Sequence, residues 1–243
     1  MGGKVQVTHL RPVYRRGRGG VTQGWDEVVD EVACPLYVNG ELFTEFLCLP
    51  VDLDCLAVGH LALAGRLGDP ADILELAVAP GGKEIRVRLG EKTAPAGPPP
   101  RAAVRVSADE ILDLAAQLPV MSGLFRRTGG VHTAGLAAGS RLLFFFEDTG
   151  RHNALDKVYG RCLREGIPTA DKVLLFSGRA TAKVIEKVRR MGVPVLVSRA
   201  ATTTLALDLA AAAGLTLVGF ARPDRLNVYT HPERVAGLCF PAP

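Results

Sequence analysis

The sequence predicts an α/β protein in which a layered sheet with helices on its faces follows a smaller α+β unit. Two observations lead to this prediction. From residue 142 onward, short apolar strand patterns alternate with helical patterns, the order typical of a largely parallel sheet. Before residue 92, strand patterns dominate and enclose a single helical pattern.

Composition indicates a globular protein, since 48% of the 243 residues are hydrophobic and 22% are charged. No stretch approaches the ~18 consecutive apolar residues of a membrane helix. The N-terminus lacks the charged and apolar regions of a secretory signal. We therefore expect a cytoplasmic protein that does not associate with membranes.

Residues 1–25 are predicted to be a basic N-terminal arm. Five basic residues and no acidic residue fall within residues 1–20: Lys4, Arg11, Arg15, Arg16 and Arg18. This charge pattern favours a disordered or loosely docked segment over a nucleic-acid-binding arm, because interleaved aromatic residues and a recognisable reading module are missing. No nucleic-acid partner is expected.

Residues 26–92 are predicted to form the small α+β unit. Strand patterns at 28–38 and 42–49 flank Asn39-Gly40, a strong hairpin signal. A helix is predicted from Asp52 or Asp54 to Leu63, followed by strands at 74–79 and 84–89. The next segment, 93–105, is rich in proline and glycine and reads as a linker or a trimmed loop.

Residues 106–243 are predicted to form a larger α/β domain. Ser107 and Glu110 have the spacing of a capping box and open a helix that runs to Leu118. Strands are predicted near 132–137, at 142–146, 173–176, 195–197 and 215–220, and near 227–229, with helices at 152–164, 181–191 and 203–213.

Arginines follow four of these strands, and the carboxyl ends of parallel strands are where ligands bind. The arginines are Arg151, Arg179, Arg199, and the pair Arg222 and Arg225. Because guanidinium groups match phosphate oxygens and small hydroxyl residues lie beside them, this pattern predicts a polyanion site. The alternative is that these arginines form loop salt bridges with Glu147, Asp148 and Asp224.

Several familiar classes of site are excluded. The chain has no G-x-x-x-x-G-K-[ST] phosphate loop, no G-x-G-x-x-G after a strand and no zinc-deaminase motif. His132 and His152 lie beside glycine-bearing turns and are either structural or part of the ligand edge. The cysteines at 34, 48, 55, 162 and 239 form no C-x-x-C pair, so neither a disulfide framework nor a metal site is expected.

Five runs of sequence share the pattern of one known family. They are T-G-G-V-H at 128–132, E-D-T-G-R-H-N-A-L-D-K at 147–157, S-G-R-A at 177–180, A-A-T-T-T-L-A at 200–206 and L-T-L-V-G-F-A-R-P-D-R-L-N-V-Y-T at 215–230. Together they resemble the FdhD family, the accessory sulfurtransferases of formate dehydrogenase. The resemblance spans about residues 30–234 and is most specific after residue 125.

The resemblance implies a cytidine-deaminase-like fold without its zinc site, and a homodimer. Members of the family bind the molybdenum bis(molybdopterin guanine dinucleotide) cofactor. They receive sulfur from a cysteine desulfurase and pass it to the cofactor before insertion into formate dehydrogenase. GDP is a possible surrogate ligand. The predicted cofactor-binding residues are Phe220, Ala221, Arg222, Pro223, Asp224 and Arg225 from the family segment, with Arg179, Ser177, Arg151, His152, Asp148 and Thr203 from the strand ends.

The chain departs from the family in one segment. The family carries sulfur on a C-G-x-C-G loop, but the corresponding interval here, residues 90–105, contains no cysteine. Sulfur relay requires a reactive thiolate, so no catalytic residue is assigned and the enzymatic activity is left open. Two alternatives to a sulfur-transferring accessory protein follow: a non-catalytic cofactor chaperone, and a nucleotide-binding enzyme with unrelated chemistry. The metal carried, molybdenum or tungsten, and the molybdoenzyme served are not determined by the sequence.

Overall fold

The computed structural model describes residues 5–90 and 104–238, and its helices and strands begin and end close to the predicted positions over most of the chain. The strands are β1 (Thr8–Gly17), β2 (Gly20–Val29), β3 (Val32–Val38), β4 (Glu41–Cys48), β5 (Ile73–Val78), β6 (Ile85–Leu89), β7 (Val106–Ser107), β8 (His132–Ala138), β9 (Arg141–Asp148), β10 (Val173–Phe176), β11 (Val195–Ser198), β12 (Thr216–Arg222), β13 (Arg225–Thr230) and β14 (Val235–Ala236). The helices are α1 (Leu53–Leu63), α2 (Ala108–Met121), α3 (Gly123–Thr128), α4 (Arg151–Arg164), α5 (Ala182–Met191) and α6 (Thr204–Ala212).

The main sheet has six strands in the order β13-β12-β11-β10-β8-β9. Only β10, β11 and β12 are parallel neighbours; β8 is antiparallel to both β9 and β10, and β13 is antiparallel to β12. The prediction of a largely parallel sheet was therefore wrong for its outer strands. The reason is that β8 and β9 are joined by a short turn, and so are β12 and β13, which allows only antiparallel pairing.

Helices cover both faces of the main sheet, which confirms the mixed α/β class. One apolar core lies between the sheet and α4, α5 and α6, and a second lies between the sheet and α2. The predicted capping box of α2 is present: Glu110 N donates to Ser107 Oγ at 3.1 Å, and Ser107 N donates to the Glu110 carboxylate at 2.7 Å.

The small unit is a four-stranded sheet in the order β4-β3-β6-β5 with α1 packed on it. Its predicted hairpin is confirmed, because Val38 pairs with Glu41 across a turn in which Asn39 and Gly40 both have positive φ. The predicted strand at 28–38 was wrong in extent, since the chain leaves one sheet after Val29 and enters another at Val32.

Helices α1 and α4 bring the two units together at very short range. A Cβ added to Gly59 would lie 1.8 Å from the backbone oxygen of Asp156, and one added to Gly160 would lie 1.9 Å from that of Cys55. Only glycine permits this approach. The division of the chain at residue 92 stays a prediction, and the linker predicted at 93–105 falls largely outside the described residues.

The predicted basic arm contains regular structure. Strands β1 and β2 form a separate two-stranded antiparallel sheet, joined through a turn around Gly17 and Gly20. The arm is therefore not disordered within the described residues. In the part of the chain that the structure describes, no helix is long and apolar enough to cross a membrane.

Candidate functional site

Four strands of the main sheet end at one edge. Strands β10, β11 and β12 run in the same direction, and β9 shares it because β8 is antiparallel to both β9 and β10. The residues that follow these strands therefore meet at that edge, together with the start of β8 at His132. The residues that follow these strands thus lie at one edge, as the sequence predicted, although the sheet is mixed.

A cavity of about 400 Å³ opens at this edge. It is lined by the ends of α2 and β9–β12, by the turn before β8, and by Phe125 of α3. The lining residues are Leu118, Pro119, Ser122, Phe125, Gly129, Gly130, Val131, His132, Thr133, Thr149, Ser177, Arg199, Ala200 and Arg222. Its volume lies in the range of ~300–1,000 Å³ that is typical of small-molecule pockets.

The strand-end arginines are not loop salt bridges. Among the described residues, none of Arg151, Arg179, Arg199, Arg222 and Arg225 forms an ion pair. Two of the three acids named as their alternative partners, Glu147 and Asp148, have other partners. Glu147 accepts hydrogen bonds from Ser122 Oγ and Phe125 N, and Asp148 is paired with Lys157 at 2.6 Å.

Buried polar atoms without a hydrogen-bond partner also gather here. Within residues 5–90 and 104–238, the buried side-chain atoms that lack a partner are Thr149 Oγ1, Arg151 Nε and Arg199 Nε. All three follow strands that end at the cavity edge. Because an unsatisfied buried donor is costly, their clustering indicates a place where a ligand would supply the missing acceptors.

Arg199 and Arg222 lie close enough to repel each other. Burial lowers the pKa of Arg199, and the positive charge of Arg222 lowers it further. Arg222 Nη1 donates to the backbone oxygens of Arg199 and Ala221, which fixes its guanidinium beside the cavity. Two cations held together without a carboxylate form a site for an anion.

An irregularity in β12 positions the family's predicted binding segment. The pairing of β12 with β13 shifts register between Gly219 and Arg222, and Phe220 has a φ of 50°, which is unusual for a bulky side chain. As a result Phe220 points to solvent, Ala221 is fully buried and Arg222 reaches the cavity. Strained backbone of this kind is concentrated at functional sites.

Helices α4, α5 and α6 begin at the same edge, and none has an acidic residue in its first turn. The first turn of α4 instead carries Arg151 and His152. A cation at the positive end of a helix is electrostatically unfavourable unless an anion is bound nearby. The helix starts, like the strand-end arginines, therefore favour a negatively charged ligand.

His132 contacts Ser177 inside the cavity. Its Nδ1 lies 3.3 Å from Ser177 Oγ, which also accepts a hydrogen bond from Thr133 N at 2.8 Å. Burial lowers the pKa of His132, and the charge of Arg151 lowers it further. At neutral pH the ring is therefore uncharged and available for hydrogen bonding.

The predicted binding residues are placed unequally. Ser177 and Arg222 line the cavity, and Arg151 borders it, because its Cδ packs against Gly178. Phe220 lies exposed nearby, while Ala221 belongs to the core. The other family positions, Pro223, Asp224 and Arg225, are exposed in the turn between β12 and β13, and Arg179 and Thr203 are also exposed at the edge without lining the cavity.

Two other predicted positions do not line the cavity. Asp148 is fully buried and accepts from Lys157, Leu49 N, Gly150 N and Asn153 Nδ2, which leaves no oxygen for a ligand. His152 faces α5, where burial, Lys187 and Arg151 lower its pKa to about 4. Conversely, Thr149 was not predicted at all, although it follows β9. Arg199 was one of the strand-end arginines of the predicted polyanion site, but it was not among the predicted cofactor-binding residues.

A larger cavity, of about 910 Å³, lies at the start of α1. Apart from Arg164, the charged residues on its lining are Asp52 and Asp54, and Arg164 is ion-paired with Asp54. A cavity with net negative charge and no free cation does not suit a polyanion. The smaller cavity is therefore the better candidate.

The described cysteines are buried, and most have weakened acidity. Burial raises the pKa of Cys55 and raises that of Cys162 to about 12. Cys34 and Cys48 are hydrogen-bonded to each other, which the sequence reasoning missed; the bond raises the pKa of Cys48 and lowers that of Cys34. Cys239 and residues 91–103, where the family's cysteine loop is expected, lie outside the described residues.

Comparisons with a family model, with known sequences and with solved structures all find the same family. A model of the FdhD/NarQ family matches residues 89–236. The chain is 36% identical to the sulfur carrier protein FdhD of Geobacillus kaustophilus, covering 93% of this chain and 96% of that protein. It is 31% identical to the sulfur carrier protein FdhD of Bacillus subtilis, covering 95% and 98%. A crystal structure of a putative formate dehydrogenase accessory protein from Desulfotalea psychrophila aligns with a TM-score of 0.85 at 30% identity, covering 95% of this chain and all of that one.

Proposed function

This chain belongs to the FdhD/NarQ family, and we propose that it is a formate dehydrogenase accessory protein that binds the molybdenum bis(molybdopterin guanine dinucleotide) cofactor at the strand-end cavity. One observation supports the proposal above the others. The partnerless buried donors Arg151 Nε and Arg199 Nε lie at the edge where the anionic diphosphate of the cofactor would supply acceptors.

The residues present fit one nucleotide arm of the cofactor. Arg199 and Arg222, with Arg151 beside them, would hold the diphosphate; Ser177 and His132 offer neutral hydrogen-bonding groups. Phe220, exposed at the same edge, would stack on the guanine. A cavity of about 400 Å³ would hold only part of so large a cofactor, so GDP is a suitable surrogate for the bound part. The part of the cofactor that extends beyond the cavity would contact Arg179, Thr203, Pro223, Asp224 and Arg225.

Binding assays test this function. Isothermal titration calorimetry of GDP and of the intact cofactor should give dissociation constants in the micromolar range or below. Arg222→Ala and Arg225→Ala should weaken both. The matched control is Arg141→Ala, an exposed arginine at the opposite end of β9. If neither ligand binds in the micromolar range, cofactor binding is refuted and an unrelated nucleotide-using chemistry becomes the better explanation.

Sulfur transfer is the less supported half of the family's activity. The interval 90–105 has no cysteine, and the cysteines that are described are buried. The alignment with the G. kaustophilus protein spans 258 positions, more than the 243 residues of this chain, so that relative has residues that this chain lacks. These observations favour a second candidate function, a cofactor chaperone that does not itself carry the persulfide.

One experiment separates the two candidates. The chain is incubated with a cysteine desulfurase and labelled cysteine, and its mass is then measured. A chaperone would show no added sulfur, whereas a sulfur carrier would show a persulfide that maps to one cysteine. Formate dehydrogenase, or a related molybdoenzyme, is the proposed recipient in both cases.

Four finer features belong to the same proposal: a homodimer, a cytoplasmic location, a cytidine-deaminase-like arrangement of the main domain, and the division into an arm (1–25), a small unit (26–92), a linker (93–105) and a cofactor domain (106–243). All four come from the sequence and its family resemblance. Limited proteolysis tests the division, with cleavage expected within 93–105.

A further inference from the structure

The β1–β2 hairpin contacts the rest of the described chain at its root. Val7 and Val29 pack on a small apolar cluster of Leu49, Leu124 and Val131. Glu27 forms an ion pair with Arg127 of α3 at 3.1 Å. The remainder of the hairpin extends outward as an isolated two-stranded sheet, an arrangement that is only marginally stable in water by itself.

Large apolar side chains gather on one face of this hairpin. The register places Pro12 opposite Trp25, and Tyr14 opposite Gln23, so these side chains share a face. Tyr14 is 72% exposed and Trp25 is 65% exposed. Leu10 and Val21 lie on the same face and are similarly exposed. Exposed aromatic residues of this kind are typical of the centre of a protein–protein interface.

The hairpin also carries unpaired positive charge. Arg15 is ion-paired with Asp26 at 2.7 Å. In the described part of the chain, Arg11, Arg16 and Arg18 have no ion-pair partner. The surface that covers this hairpin should therefore be apolar and acidic.

A surface of that chemistry exists on the same chain. We call it the β3–β4 face: the outer side of β3 and β4, where Leu42 and Leu47 are exposed beside Glu31 and Glu45. Strand β4 is the edge of its sheet, and neither of these two acids is ion-paired among the described residues. Unpaired sheet edges with exposed apolar residues favour association with another chain.

We propose that the hairpin of one copy lies on the β3–β4 face of a second copy, and that the two copies exchange hairpins. Both surfaces are exposed in the isolated chain, so a hairpin does not cover the face of its own chain. One chain carries both complementary surfaces, and two copies related by a twofold axis bury both and leave neither free. The inference rests on the homodimer in the proposed function and assigns its interface.

Sedimentation velocity of the full chain tests the inference directly. The wild-type protein should have twice the 25.8 kDa mass of the chain at micromolar concentration. Tyr14→Ser/Trp25→Ser should raise the dimer dissociation constant by at least about tenfold, since truncated aromatic anchors have effects of this size. The matched control is Leu74→Ser/Val78→Ser, which removes exposed apolar residues from β5 and should leave the dimer intact.

If the aromatic variant misfolds, a second set of variants that exchanges the charges of the two surfaces still tests the interface. Arg16→Glu/Arg18→Glu should dissociate the dimer, and adding Glu31→Arg/Glu45→Arg should restore it. A monomeric wild-type chain, or a dimer that is unchanged by the hairpin variants, overturns the inference; so does a charge exchange without restoration. GDP titration separates this failure from that of the proposed function, because monomeric variants should still bind GDP.

Discussion

Helices that begin away from the strand-end cavity and helices that begin on its side of the main sheet differ in the charge of their first turns. Helix α1 has Asp54 in its first turn, and α2 has Asp109 and Glu110, as the positive end of a helix favours. Helices α4, α5 and α6 begin at the sheet edge where the strand-end cavity opens, and their first turns contain no acidic residue. The difference indicates that the helix starts at the cavity are arranged for a bound anion, and not for the stability of the free chain.

The buried charges of the two regions differ in the same way. At the contact of α1 with α4, Lys157 is paired with Asp148, and Asp156 is paired with Lys187 and with His60. At the cavity, Arg151 and Arg199 each keep an unsatisfied Nε. Buried charge is therefore satisfied where it joins the two units and unsatisfied where a ligand would bind.

The largest effect is expected from Lys157→Ala. It would leave Asp148 buried and unpaired, and breaking such a pair typically costs about 3–5 kcal/mol. The free energy of unfolding, measured with urea, should fall by that amount. The double variant Asp148→Asn/Lys157→Met removes both charges and should lose clearly less. A single variant as stable as wild type would show that this pair does not join the units.

Arg199→Ala should weaken ligand binding and leave the stability of the protein nearly unchanged. The lost guanidinium would weaken GDP binding by about 10- to 100-fold, as expected for a charged hydrogen bond of about 1.5–3 kcal/mol. The free energy of unfolding should change by less than about 1 kcal/mol, because Arg199 is repelled by Arg222 in the free chain. Arg141→Ala serves as the control in both measurements. A large loss of stability without loss of binding would make Arg199 structural.

Phe220→Gly should relieve the backbone strain at this position and also remove the ring that is proposed to stack on the guanine. Glycine adopts the positive φ at this position without strain, so stability should be kept or slightly raised. Loss of the proposed stacking surface should weaken GDP binding by about five- to tenfold, at the low end of measured base stacking. Phe220→Tyr, which keeps the ring, should bind like wild type. Equal binding by all three proteins would exclude stacking on this residue.

The smallest effect concerns pH. The pKa of His152 falls to about 4 in the folded chain because of burial, Lys187 and Arg151, while in the unfolded chain it is about 6.5. The unfolded chain therefore binds the extra proton between these values. Stability should be complete above pH 6.5 and decline as the pH falls towards 4. Urea midpoints at pH 7, 6 and 5 should decline less steeply for His152→Gln than for wild type.

Most of the fold could be predicted because local signals agreed with tertiary structure. The Asn39-Gly40 turn, the Ser107 capping box and the buried strand at Val173–Phe176 all lie where the sequence placed them. The direction of β8 and β13 could not be read in this way, since an apolar strand pattern is the same in parallel and antiparallel sheets. The hairpin at residues 8–29 was missed because the charge of residues 1–25 suggested a disordered or loosely docked arm.

The site was predicted in outline and less well in detail. Arginine after each strand located the edge, and the structure brings Arg222, Arg199 and Ser177 together there. The ion pair of Asp148 with Lys157 of α4 was not predicted, because no spacing in the sequence reveals that contact. The start of β8, with Gly129, Gly130 and His132, joins the cavity because β8 runs opposite to its neighbours, which the sequence did not show.

A crystal structure of the chain with GDP tests the central claim most directly. We expect the diphosphate to lie within hydrogen-bonding distance of Arg199 Nε and the Arg222 guanidinium, with the guanine near Phe220. Arg151 Nε should gain an acceptor in the same complex. GDP bound in the larger cavity at the start of α1, or at the strand-end edge without contact to these arginines, would contradict the account.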